Sequence, residues 1–218
     1  MEKFWNNPLT AHVYNIFVRL PPTKKLHNAI GESILVKKKA PILEVGSGTG
    51  ALAKILLKKD PNVEIIGVEP SVNMISKTLE LSEEPNVHLI RAVGEHLPLR
   101  ESSLPLIALV FSYHHLRDPG QTLIASFKAL KPSGFILIFE ADSTLKKQEV
   151  REAFKKIGLP YPLGSLAYTY LKKTGHAVDP NDVLEKIRKG PGAENMELRV
   201  QRMIDGSPIS VVEIKKIK

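Results

Sequence analysis

Residues 42–50 read Ile-Leu-Glu-Val-Gly-Ser-Gly-Thr-Gly, a short apolar run that breaks into alternating glycines. Directly after it, Leu52, Ile55 and Leu56 recur at the spacing of a buried helical stripe. An apolar run, a glycine turn and a helical period in that order describe a buried parallel strand turning tightly into a helix. In an open α/β sheet, ligands bind beyond the C-terminal ends of the strands, so Gly46, Gly48 and Gly50 stand where a cofactor is expected. Glycine suits that place because the backbone must turn and approach a ligand with no Cβ in the way. Gly46-x-Gly48-x-x-Ala51 also satisfies the looser dinucleotide fingerprint, and Glu69, about 20 residues further on, would take a ribose in either case. The loop by itself leaves a dinucleotide and other nucleoside cofactors open.

Working outward, strands are expected at Ile42 to Val45, Glu64 to Val68, Val87 to Arg91, Leu106 to Phe111 and Phe135 to Glu140. Helices are expected between them at Ala51 to Lys58, Val72 to Leu81 and Gln121 to Ala129, with Pro61, Pro85 and Lys131-Pro132-Ser133-Gly134 punctuating their ends. Two β-rich runs, Glu197 to Ile204 and Ile209 to Ile217, flank Asp205-Gly206-Ser207-Pro208 and read as an antiparallel hairpin. The fold class is therefore α/β: a Rossmann-like, seven-stranded, mostly parallel sheet with a C-terminal antiparallel hairpin and helices on both faces. One domain, 1–218, divides into an N-terminal helical lid (1–40), a cofactor-binding core (41–140), a substrate-covering insertion (141–195) and the hairpin (196–218). The lid holds helical patterns at Ala11 to Arg19 and Leu26 to Val36; the insertion holds helices at Gln148 to Ile157 and Asp182 to Lys189 around a proline-rich loop, Leu159 to Gly164.

Composition narrows the class. With 43% hydrophobic and 25% charged residues the chain is neither disordered nor membrane-spanning in character, and no apolar run reaches the roughly 18 residues a span requires. The N-terminus lacks the layout of a signal peptide, and a cytoplasmic protein is expected. Absence of cysteine excludes disulfides, thiolate metal sites and cysteine nucleophiles, and no metal is expected. The net charge of +8 comes from scattered lysine pairs rather than a single basic surface, and reads as solvated helix faces.

The segment Glu44-Val45-Gly46-Ser47-Gly48-Thr49-Gly50 resembles the first motif of class I S-adenosylmethionine-dependent methyltransferases, which have an acidic residue two positions before Gly-x-Gly-x-Gly. A carboxylate gains nothing beside a pyrophosphate, whereas it favours the cationic methionine end of that cofactor. Further segments resemble the family's later motifs in order: Glu69-Pro70-Ser71-Val72-Asn73-Met74, Val93-Gly94-Glu95-His96-Leu97-Pro98-Leu99, Phe111-Ser112-Tyr113-His114-His115, and the turn Leu130 to Phe135. The likeness is to the small-molecule branch that includes the ubiquinone and menaquinone biosynthesis methyltransferases, through Glu95-x-Leu97-Pro98 and His115, and it covers residues 40–140. Two departures stand out. Val93 occupies the position of the aspartate that takes the adenine amino group, and the aspartate that opens the fourth strand is replaced around Pro105.

The resemblance implies S-adenosylmethionine as cofactor, with S-adenosylhomocysteine as product. The residues expected to hold it are Glu44, Gly46, Ser47, Gly48, Gly50, Glu69, Pro70, Met74, Gly94, Glu95 and Ser112. Methyl transfer from a sulfonium is an in-line displacement in which the protein aligns the partners and excludes water. A general base is optional, and His115 or His114 is the candidate. Tyr14, Tyr113 and Tyr161 are candidates for contact with a small, partly apolar acceptor. Alternatives are an RNA or protein methyltransferase, motivated by the charge, and an inactive cofactor-binding protein, motivated by Val93.

Overall fold

A computed structural model describes residues 7–81 and 83–218, without the side chains of residues 79–81. The first six residues of the expected lid lie outside this range. Ile42–Val45 forms β1, buried along its whole length because helices cover both faces of the sheet it anchors. On one side it pairs in parallel with β2 (Ile65–Val68), and on the other with β4 (Leu104–Val110). In that register Glu44 lies between Gly67 and Ala108, two residues too small to crowd its side chain. β3 (Val87–Ile90) flanks β2, and β5 (Leu130–Asp142) flanks β4. The hairpin closes the sheet: β8 (Ile209–Lys216) pairs antiparallel with β5, and β7 (Met196–Gln201) pairs antiparallel with β8. The order β3-β2-β1-β4-β5-β8-β7 reverses direction between β1 and β4, which opens a crevice above their C-terminal ends.

These seven strands are the expected ones; an eighth, β6 (Ala177–Val178), adds two residues beside Ala141 and Asp142 of β5. β5 begins at Leu130 rather than Phe135, and its register against β4 shifts between Leu104 and Leu106. Pro105 sits at the shift, since proline has no N–H for the ladder and is confined to edges and bulges. This is the structural consequence of the departure noted at that position.

The helices are α1 (Pro8–Phe17), α2 (Pro21–Leu35), α3 (Ala51–Lys59), α4 (Val72–Ile75), α5 (Pro119–Ala129), α6 (Lys147–Ile157), α7 (Tyr161–Lys173) and α8 (Pro180–Arg188). The single helix expected over Val72 to Leu81 is instead α4 followed by a 3-10 segment, Ser76–Leu81. There the Ser76 and Thr78 hydroxyls donate to the carbonyls of Asn73 and Ile75, competing with regular helical bonding. The expected loop Leu159 to Gly164 is the start of α7. Its prolines flank the first turn, where no backbone donor is needed, and Gly164 lets α7 settle on the Phe154 ring of α6.

Two apolar layers fill the faces of the sheet. Ile30 and Ile34 of α2 with Leu52 and Leu56 of α3 pack on Ile42, Ile65, Leu106 and Ala108. Val183 and Ile187 of α8 pack on the opposite face with Leu43, Val45, Ile107 and Leu109. Hence α2 is a wall of the core, and only α1 remains of the expected lid. A third cluster joins Leu145, Val150, Phe154, Ile157 and Tyr168 within the 141–195 segment. It hangs on Asp142, fully buried, which accepts hydrogen bonds from Thr144, Arg202 and Ser210.

Candidate functional site

The loop after β1 turns through three left-handed glycines, Gly46, Gly48 and Gly50, at φ of 77°, 54° and 71°. A Cβ on Gly46 would lie 2.6 Å from the Ser112 Cβ, so the loops after β1 and β4 touch at this point. The Ser112 hydroxyl donates to the Val45 carbonyl at 2.7 Å and ties the two strand ends together. Ser47 is buried over Gly67, whose added Cβ would come within 2.9 Å of the serine hydroxyl. Gly50 caps α3 in the same left-handed conformation.

Three carboxylates converge beneath this loop. Glu69 accepts from the backbone N–H of Gly48 at 3.0 Å and of Ser71 at 2.9 Å. Burial still raises its pKa above the ordinary value, because those two bonds compensate only in part. Glu44 is more exposed to the problem: it is 4% accessible, and its Oε2 has no hydrogen-bond partner. Burial first, then the Glu69 charge, pushes its carboxyl well above the usual range. Tyr14 of α1 reaches in from above, 3.6 Å from where a Gly48 Cβ would stand. Its hydroxyl is driven upward by burial and by Glu44, Glu69 and Glu140 together, which places all three charges within electrostatic reach of one phenol.

Glu140 lies two residues before the end of β5 and holds His114. Its Oε2 accepts from His114 Nδ1 at 2.7 Å, with both side chains almost wholly buried. A carboxylate can only accept, so Nδ1 carries the proton and His114 Nε2 keeps its lone pair. That nitrogen faces His115 Nε2 at 3.0 Å, and the His176 ring closes the group at 4.9 and 5.2 Å from the other two ring centres. Burial and the neighbouring His114 and His176 lower the His115 pKa to about 3.

The remaining candidates are placed as follows. Met74 is buried just after Glu69, with Pro70 exposed between them. Gly94 starts a 3-10 turn so close to Thr122 and Val45 that an added Cβ would lie 2.9 and 3.1 Å away. Glu95 Oε1 accepts from the backbone N–H of Arg117 and Asp118, at 3.1 Å each, which ties the segment after β3 to the loop after β4. Tyr113 is buried in the layer beneath α8 with its hydroxyl unpartnered. Tyr161 packs on the third cluster and under Arg151, in the α6–α7 pair rather than over the loop. The sequence reading missed Glu140 and His176, and it missed Asp142 as the anchor of the insertion.

The crevice, the glycine loop and the acidic floor define a nucleoside-cofactor site of class I methyltransferase type. Residues 43–138 match the model of a methyltransferase domain family. The chain is 25% identical over 176 residues to the demethylmenaquinone methyltransferase of Thermotoga maritima, covering 76% of this chain and 75% of that protein. It is 27% identical over 113 residues to the ubiquinone/menaquinone biosynthesis C-methyltransferase UbiE of Campylobacter jejuni, covering 50% of this chain and 47% of that one. Among solved structures, a putative S-adenosylmethionine-dependent methyltransferase of Methanococcus maripaludis superposes with a TM-score of 0.72 at 14% identity, over 97% of this chain and 94% of that one. The plantazolicin methyltransferase BpumL, solved with S-adenosylhomocysteine, gives 0.68 at 14% identity, over 99% and 93%. The chain is an S-adenosylmethionine-dependent methyltransferase. More particularly, it is a distant homologue of the ubiquinone and menaquinone methyltransferases. The residues present fit the cofactor: Glu44 offers a buried carboxylate oxygen with no partner, and a cationic amino group would satisfy it.

Among the described residues no helix is long and apolar enough to cross a membrane.

Proposed function

We propose that this methyltransferase acts on a small, partly apolar acceptor by in-line displacement. The observation that carries this reading is the position of Tyr14. The Tyr14 ring stands against Gly48, in reach of three carboxylates, so α1 narrows the approach to the loop, which favours a small acceptor over a polymer strand. The quinone-precursor names of the curated relatives support an acceptor with an aromatic ring.

When bound, S-adenosylmethionine supplies an electrophilic methyl on a sulfonium, a leaving group that needs no acid assistance. Glu44 would take the ammonium of the methionine end, Glu69 would take ribose hydroxyls, and Gly46, Ser47, Gly48 and Gly50 would let the backbone approach it closely. Met74 and the Gly94 backbone would hold the adenine. On the acceptor side, His114 is the proposed base. Glu140 fixes its tautomer and stabilises the positive charge it gains, whereas His115 is held neutral. A phenol or enol hydrogen-bonded to His114 would lose its proton as the new bond to the methyl group forms.

The test is transfer from methyl-labelled cofactor into cell extract and into defined phenols and hydroquinones. Label is expected in an organic-extractable small product. Label found only in tRNA or protein, or no transfer at all, would reject the proposal in favour of the macromolecular or the inactive reading.

A further inference from the structure

We infer that His114, His115 and His176 form a binding site for one divalent transition metal of the zinc–cobalt type, with Glu140 and Thr174 holding the ligands in place. This deepens the function proposed above and rests on it only for what fills the open coordination position, an oxygen of the acceptor; with a metal bound, His114 Nε2 is a ligand rather than the base, and the acceptor oxygen loses its proton to solvent.

The three candidate ligand nitrogens lie within 4.8 Å of one another. Tetrahedral coordination with bonds of about 2.0–2.1 Å requires nitrogens roughly 3.3 Å apart. His114 Nε2 and His115 Nε2, at 3.0 Å, already stand near that separation. His176 must approach, and it can: it follows Gly175, which is left-handed at φ +75° with open space around it, and its own ring is only partly buried.

Tautomer bookkeeping points the same way. His114 Nδ1 donates to the Glu140 carboxylate at 2.7 Å, leaving Nε2 with a lone pair. His176 Nδ1 lies 2.7 Å from Thr174 Oγ1, and that hydroxyl hydrogen is already donated to the Tyr170 carbonyl at 2.8 Å. Thr174 must therefore accept from His176 Nδ1, which leaves Nε2 of His176 as the atom with the lone pair. Two imidazoles thus have Nδ1 fixed by an oxygen acceptor and their lone pair on Nε2, which in His114 would exchange its contact with His115 for the metal, the arrangement in which metal-binding histidines are held by their outer partners. An all-nitrogen set with one open position suits Zn²⁺ or Co²⁺ rather than Mg²⁺ or Ca²⁺, which prefer oxygen ligands. The expectation of no metal, drawn from the missing cysteines, does not reach a site built from histidine alone.

The experiment is titration of the metal-free protein with Zn²⁺ by calorimetry and with Co²⁺ by visible absorption, for wild type, His176→Ala and Glu140→Gln. One equivalent is expected to bind, with a Co²⁺ spectrum of low-coordinate nitrogen ligation. Glu140→Gln should weaken binding by about 10–100-fold, as loss of an outer partner does, and His176→Ala by at least as much. S-adenosylhomocysteine binding and the melting temperature without metal show that each variant is folded. Should a variant fail to fold, His115→Asn replaces it. Absence of saturable binding, or identical binding by wild type and folded His176→Ala, would overturn the inference. Metal binding without methyl transfer to small acceptors would refute the proposed function alone, and transfer without metal binding would refute the metal site alone.

Discussion

Replacing Glu44 by Gln keeps the shape of the side chain and removes its charge, and three effects of different sign follow. In the free protein the carboxylate is buried, has an unpartnered oxygen and is repelled by Glu69, so its folded pKa stands well above the ordinary 4.5. An acid whose pKa is raised on folding destabilises the native state as pH climbs from its unfolded value through its folded one. Each pH unit in that window costs up to about 1.4 kcal/mol. Glu44→Gln should therefore flatten the decline of thermal stability above about pH 4.5 in the free enzyme. Cofactor binding should move the other way. A charge-assisted hydrogen bond contributes about 1.5–3 kcal/mol, so affinity for S-adenosylhomocysteine should drop by roughly 10–150-fold. Because the ammonium requires an ionised partner, wild-type binding within the window should expel a proton and tighten as pH rises, which calorimetry in buffers of different ionisation enthalpy detects. The ammonium keeps its charge throughout methyl transfer, so the variant should raise KM for the cofactor and leave kcat nearly unchanged. Wild-type affinity in Glu44→Gln, or the same apparent enthalpy in every buffer, would refute the assignment of Glu44 to a cationic group.

Gly46→Ala combines left-handed strain of about 1–2 kcal/mol with a collision against Ser112, whereas Gly175→Ala, at nearly the same φ in open space, carries the strain alone. At about 2–4 °C per kcal/mol, the first should melt distinctly lower than the second, and adding Ser112→Gly to Gly46→Ala should recover part of the difference. Asp142→Asn should cost about 2–4 kcal/mol in denaturant unfolding by breaking a buried charged network. Burial raises the Asp142 pKa, yet the bonds from Ser210, Thr144 and Arg202 outweigh it and hold the carboxyl low, so its contribution is present above 3.8 and lost as pH falls below that. The variant should lack this acid limb. His27, buried with Nδ1 donating to the Thr23 carbonyl, has a lowered pKa, and its native form loses stability as pH falls below 6.5. His27→Leu should remove that slope, measured as unfolding free energy across a pH series.

What the sequence makes readable is whatever local order dictates. β1 and its loop announce themselves because Ile42, Leu43 and Val45 run directly into three glycines at alternate positions, and the switch point places Ser112, His114 and His115 opposite them through one strand pairing. Glu140 carried a usable signal, a carboxylate at the C-terminal end of an apolar strand, where ligands of such sheets gather. His176 carried none. Its place beside His114 depends on β6, two residues long, pairing with the end of β5 some thirty-five positions earlier in the chain. Tyr161 was misread as a loop residue because proline was taken as a breaker, although its ring only forbids the helix interior and not the first turn. The lid boundary is blurred for a related reason: α1 and α2 are both amphipathic, and only tertiary packing reveals that Ile30 and Ile34 are fully buried while Leu9, Val13 and Phe17 stay exposed.

The distribution of charge explains why the glycine loop, open to two cofactors by its own geometry, belongs with only one of them. The chain carries +8 overall, yet Glu44, Glu69 and Glu140 meet around Tyr14 at the carboxyl ends of the sheet. A pyrophosphate brought to that floor would face carboxylates whose ionisation is already disfavoured by burial and by one another. A ligand with an ammonium and a sulfonium reverses the balance, since each cation relieves repulsion that the free protein must hold. The opposite side of the crevice is built from imidazoles with lone pairs, which accept a proton or a metal but add no negative charge beyond Glu140. One side of the crevice thus gathers carboxylates and the other imidazoles, the division on which the proposed roles of Glu44 and His114 rest.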